Sequence, residues 1–132
     1  MPSTSHVKIT EYVGPTAVGE RIAAAVILAA YAAGIASRWA VPGSTLWGLL
    51  ENHAPGGAEN AVRIARYGAL LLAAAHGAEV LLFDQLRMRK HGVPRWSGVW
   101  WQWQLSVFVE GMGAWARIGK LIAKKQAVLK SK

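Results

Sequence analysis

The chain reads as an all-α integral membrane protein with three transmembrane helices and a short interfacial helical segment at its C-terminus. Three observations lead there. Of its 132 residues, 53% are hydrophobic and only 17% are charged, against roughly 25% charged in a soluble domain. The apolar residues gather into three runs separated by Pro- and Gly-containing breaks. Seven Trp, several of them near the ends of those runs, have the placement of an interfacial aromatic belt. At this length a single domain over 1–132 is expected.

The first twelve residues, MPSTSHVKITEY, lack the apolar core behind a basic end that marks a secretory signal. They also lack the arginines of a matrix-targeting presequence. The first span follows. Its apolar run is IAAAVILAAYAAGIA, Ile22 to Ala36. Fifteen residues fall short of the ~20 needed to cross hydrocarbon. Snorkelling Arg21 and Arg38 extend the span to about 17–41, and VPGS ends it. A soluble three-helix bundle is the alternative. It is disfavoured because this run has almost no polar face and the chain is too short to bury it fully.

A loop with a short helix near Leu46 to Glu51 leads to APGG, a strong breaker. The second span covers about 60–86. Ala65, Ala69, Ala73 and Gly77 recur every four residues along it and form a small-residue ridge for close helix approach. His76 and Glu79 stand one turn apart beside that ridge. The basic loop RMRKHGVPRWSG turns the chain at GVP, and Ser97 is placed to cap the next helix.

The third span is expected over about 98–118, and a basic amphipathic tail over 117–132. In the tail Ile118, Leu121, Ile122, Val128 and Leu129 share a face opposite Lys120, Lys124 and Lys125, as in a helix lying on a membrane surface. Arg87, Arg89, Lys90, Arg95, Lys120, Lys124 and Lys125 are the expected headgroup contacts, and anionic phospholipids, cardiolipin among them, the expected lipid partners. With three spans, Lys8, Arg21, Arg87, Arg89, Lys90 and Arg95 mark one side of the membrane and the other nine basic residues the opposite side. Six against nine favours the C-terminal tail on the positive side, by a small margin.

Gln102, Ser106 and Glu110 recur every four residues on the third span. Folding the hairpin about His91 brings this stripe opposite His76 and Glu79. An acidic group at mid-helix facing lipid costs about 2.5–3.5 kcal/mol, so the five residues are expected to form an intramembrane polar latch. Three other readings compete: a proton relay or transport path, a lipid, sterol or quinone groove, and a metal site. A relay needs an enclosed pathway that one hairpin does not provide. Di-metal carboxylate bundles use two Glu-x-x-His pairs and two further Glu, whereas this chain has one reversed pair. Gly111-Met112-Gly113 reads as close helix packing, and His6, His53 and His91 as isolated, solvent-facing residues.

The absence of cysteine excludes disulfides, thiolate chemistry and cysteine-ligated metal. There is no Walker loop, GxGxxG, HExxH or acid–His setting for a serine. No catalytic residue, metal or cofactor is expected. The net charge of +8 is read as a lipid-facing charge, without a nucleic-acid partner.

HGAEVLLFDQLRMRKHGV followed by WWQWQLSVFVEGMGAW resembles the small integral membrane proteins similar to transmembrane protein 254. The residues carrying the resemblance are His76, Glu79, Lys90, His91, Gly92, Trp101, Gln102, Gln104, Phe108 and Gly111, within about residues 73–125. That family has no established activity, so the resemblance implies topology more than function. The His and nearby Glu in an apolar span are also similar to the ergosterol-biosynthesis scaffold proteins of the endoplasmic reticulum. The expected function is a non-catalytic accessory subunit of a larger membrane complex, with mitochondrial respiratory complex I as the favoured host. The alternatives are an endoplasmic-reticulum scaffold or lipid- and sterol-binding protein, and a small transporter or proton-relay protein. The expected partners are other membrane subunits, and the inner mitochondrial membrane is the expected address.

Overall fold

The computed structural model describes residues 6–132, whose regular elements are all helices, with no strand among the described residues. The helices are α1, Val18–Ala36; α2, Thr45–His53; α3, Gly57–Phe83; α4, Gly98–Glu110; and α5, Met112–Lys130. A π-helical turn, Asp84–Arg89, continues α3. Two of these helices are long and apolar enough to cross a membrane: α1, and α3 with its extension through Arg89. The chain divides into two compact units, one of residues 24–75 and one of residues 1–23 with 76–132.

In the 24–75 unit, α1 and α3 run antiparallel. Gly34 of α1 faces Ala65 and Ala69 of α3, and a Cβ on Gly34 would stand 2.3 Å from the Ala69 Cβ. One turn on, Arg66 donates to the Ser37 hydroxyl at 3.3 Å and to the Ser37 carbonyl at 3.2 Å. Ala73 lines a shallow cavity of about 430 Å³ beside this contact. The connecting α2 is capped by the Ser44 hydroxyl, which accepts from the Trp47 amide. Its Glu51 carboxylate accepts from the Ala58 amide at 2.8 Å. A negative group there complements the dipole and free N–H groups at the start of α3. Gly56 and Gly57 both take positive φ to make that entry.

The other unit is a small bundle. Its core comprises Val7, Ile9, Phe83, Met88, Val93, Trp100, Trp103, Val107, Ala114, Ile118 and Leu121. Ser97 caps α4, accepting from the Trp100 amide. The pairs His76–Phe108 and Asp84–Trp100 centre the turn between α3 and α4 on Gly92, one residue beyond His91.

The structure corrects the expectation of one continuous third span over 98–118. The helix breaks at Gly111, which has φ +57°. α4 has 13 residues, about 20 Å of helix, against a hydrocarbon core of about 30 Å. The chain also reverses there. The Glu11 carbonyl accepts from Trp103 of α4 while the Glu11 carboxylate pairs with Lys125 of α5. On one straight helix those two positions would lie about 33 Å apart. α4 and α5 therefore form a tight helical hairpin. The start of the expected surface tail is in its interior, since Arg117, Ile118 and Leu121 are buried.

Because Gly34 has no room for a side chain, Gly34→Ala is expected to destabilise the α1–α3 contact by about 1–3 kcal/mol. Gly68→Ala, at a position with nothing within 4 Å, serves as the control. Unfolding in detergent should place only Gly34→Ala low, with recovery on adding Ala69→Gly. Equal stability of the two single variants would refute close packing at this point.

Candidate functional site: a buried polar cluster under an N-terminal strap

Residues 6–16 form an extended segment, the strap, in which Val7 and Ile9 are buried while Lys8 and Thr10 are exposed. An extended backbone makes no hydrogen bonds to itself, so its buried groups must find partners elsewhere. The Ile9 amide donates to the His91 carbonyl at 3.0 Å. The Val7 carbonyl accepts from His91 Nδ1 at 2.8 Å. The Glu11 carbonyl accepts from Trp103 Nε1 at 3.0 Å, and the Val13 carbonyl from Arg117 Nε at 3.0 Å. Between them the Tyr12 hydroxyl bonds the Ser106 hydroxyl, and its ring packs edge-on against Trp103.

The hairpin tip holds the ionisable groups. Arg117 makes a two-pronged pair with Glu110, both arms at 2.6 Å. Their side chains are only 4% and 6% exposed. Nearby, His76 Nδ1 donates to the Phe108 carbonyl at 2.6 Å. A carbonyl only accepts, so this bond puts the Nδ1 proton in place and leaves Nε2 for the opposite edge. That edge faces Gly111. A Cβ on Gly111 would stand 3.0 Å from His76 Nε2 and 3.0 Å from Glu79 Oε2. The missing side chain is thus what admits the imidazole and the carboxylate to the turn, and Glu79 Oε2 is buried there.

The expected latch is accordingly divided. His76 and Glu79 meet the backbone at Phe108 and Gly111. Glu110 turns to Arg117, and Ser106 to Tyr12. Gln102 does not join: it is exposed, and Gln104 is buried in its place. The reason is helical rotation, because Trp100, Trp103 and Val107 set the inward face of α4 and Gln102 projects well away from it. On the expected ridge, Ala65 and Ala69 meet Gly34. Gly77 does not serve as a close-approach point, having open space where a Cβ would be.

Several of the expected headgroup contacts also have partners within the chain, Arg95 and Arg89 remaining exposed. Arg95 grips Asp84 through Nε at 3.0 Å and Nη2 at 2.5 Å. Arg87 lies over the Trp115 ring, 5.4 Å from its centroid. Arg89 donates to Gln85, and Lys125 to Glu11. Lys90, Lys120 and Lys124 are exposed or nearly so. His91, expected in solvent, is buried because the strap covers it. The strap and Arg117 were missed as functional parts of the site. The only sequence signal for the strap is the two-residue alternation of Val7 and Ile9.

Among the described residues no group of three or more His, Asp or Glu is placed to hold a metal. The cluster's chemistry is that of hydrogen bonding and ion pairing between buried groups. It holds one imidazole and one carboxylate at a helix turn, and a second carboxylate neutralised by a guanidinium.

Three outcomes are expected. Glu110→Gln leaves the Arg117 charge buried without its counter-ion and should cost about 3–5 kcal/mol, with much of that recovered by the apolar double variant Glu110→Leu/Arg117→Met. Gly111→Ala should cost about 1–3 kcal/mol through its φ and its contacts, while Gly119→Ala, in open space, should not. Chemical unfolding in detergent reads both. The third is a pH dependence. Burial is the largest influence on His91 and holds its pKa below the ordinary 6.5, opposed by its bond to Val7 and aided by Lys90, Arg87 and His6. The unfolded chain therefore takes up the proton first as pH falls. Stability of this unit should decline below about pH 6.5 and level off below the folded-state pKa, and His91→Gln should flatten that decline. An unchanged slope in that variant would contradict the assignment.

Compared with known proteins, the chain matches no family model, no curated protein and no solved structure.

Proposed function

We propose that the protein is a non-catalytic accessory subunit anchored in a membrane by α1 and α3. The observation that carries this reading is α1. It has 19 residues and none of them is buried. Val18, Ile22, Val26, Leu28 and Ile35 are all exposed, as are Ile64, Leu70, Leu71, Leu81 and Leu82 of α3. Contiguous apolar surface on this scale belongs against lipid or partner helices.

Two spans, in place of three, change the charge balance. Both ends of the chain then share one side. Twelve of the fifteen Lys and Arg fall on that side, leaving Arg38, Arg63 and Arg66 for the other. This strongly favours the termini on the positive, cytoplasmic or matrix-like side. The structural role is supported by the polar cluster, in which Ser106, Glu110 and Arg117 bond one another or the strap and His76 bonds the Phe108 carbonyl, while Glu79 Oε2 is buried without a hydrogen-bond partner among the described residues. A mitochondrial inner-membrane assembly, with complex I as the narrower choice, remains the host to test first, since such assemblies recruit small basic subunits.

Two measurements test the reading. Tags placed at each end should be accessible from the same side of sealed membranes, and a tag in the loop between α1 and α2 from the other side. Opposite-side accessibility of the two ends would restore an odd number of crossings. On native gels of mild-detergent membranes the protein should run within a larger assembly. Migration as a free small species would remove the accessory-subunit reading, and migration away from respiratory complexes would remove that host.

A further inference from the structure

Between the strap and the second half of α5 lies a groove of about 550 Å³, within the ~300–1,000 Å³ of small-molecule sites. Its floor is apolar, with Val7 and Leu121 buried and Leu129 half exposed at its open end. Its rim is cationic, with Lys8, Lys124 and Lys125. The one carboxylate in the lining, Glu11, is already paired with Lys125 at 2.9 Å. Lys8 and Lys124 have no ion-pair partner among the described residues. The lining contains no Phe, Tyr or Trp on which a nucleobase would stack.

An apolar floor beside two ammonium groups, neither in an ion pair among the described residues although Lys124 also acts at longer range on Glu11, is complementary to one class of molecule: an amphiphile with an anionic head. We propose that this groove seats an anionic phospholipid, its phosphate against Lys8 and Lys124 and the upper part of an acyl chain over Val7, Leu121 and Leu129. The proposal rests on the membrane reading above, which supplies such lipids next to the unit. It gives the strap a second task, since Val7 and Lys8 contribute to floor and rim alike.

Native mass spectrometry of the detergent-solubilised full chain tests it, with phosphatidylglycerol, phosphatidylcholine and inorganic phosphate as probes. Phosphatidylglycerol should be retained in preference to phosphatidylcholine. Lys8→Gln/Lys124→Gln should weaken its binding by roughly 25-fold, about fivefold per lysine. Lys130→Gln/Lys132→Gln, outside the groove, should change it less than twofold, and Leu129→Asn should weaken it as a floor residue must. Equal retention of the two lipids would overturn the proposal. So would equal losses in the two lysine pairs, which indicate diffuse charge, or displacement by inorganic phosphate, which indicates a free-anion site. Membrane integration is read separately by alkaline carbonate extraction. Extraction of the wild-type chain defeats the two-span reading, whereas loss of lipid selectivity with integration intact defeats the groove alone.

Discussion

The carbonyls of Val7, Glu11 and Val13 receive their hydrogen bonds from His91, Trp103 and Arg117, three side chains on three different elements. The turn after α3, helix α4 and helix α5 are thereby held to a common line of extended backbone. A buried donor or acceptor left without a partner costs about 1–3 kcal/mol, so strap and hairpin are mutually dependent. Withdrawing the strap would uncover Ile9 and the face of Trp103 and orphan the Trp103 indole N–H and the Arg117 Nε together. Arg117 is the most committed of these groups, since the same guanidinium also neutralises Glu110 inside the bundle.

The hairpin follows from a second constraint, the one-residue break at Gly111. Its positive φ ends α4 after 13 residues, and its missing side chain lets His76 and Glu79 close on the turn. Chain reversal at that point brings the basic second half of α5 back beside the strap. The same reversal takes this segment out of consideration as a straight membrane span. The membrane reading then falls to α1 and α3, whose exposed apolar faces and Gly34–Ala69 contact suit packing in lipid, where small residues let backbones approach. On the proposed two-span reading, positive charge collects on the side that carries both chain ends.

Much of the span architecture was legible in the sequence because it is local. Apolar run length marks α1 and α3, the four-residue spacing of Ala65 and Ala69 marks the face that meets Gly34, and Ser97 before GVW marks a helix start. The pairing of α3 with α4 was also legible, to within two residues, from the short turn between them. What was not legible depends on contacts distant in sequence. Nothing in Gly111 by itself distinguishes a chain reversal from a tolerated helical glycine. Arg117 has the composition of a basic membrane flank and is instead the buried partner of Glu110. Gln102 and Gln104 are chemically identical, and only the rotation set by Trp100 and Trp103 decides which of them is inside. The strap has no periodicity long enough to read, and its structure is dictated by the side chains it lies upon.

Hydrogen exchange on the full chain and on a chain lacking residues 1–13, in the same detergent, tests most directly the dependence of the hairpin on the strap. Protection should collapse in α4 and α5 of the shortened chain while the 57–75 part of α3 keeps its protection. Undiminished protection of α4 and α5 without the strap would contradict the account.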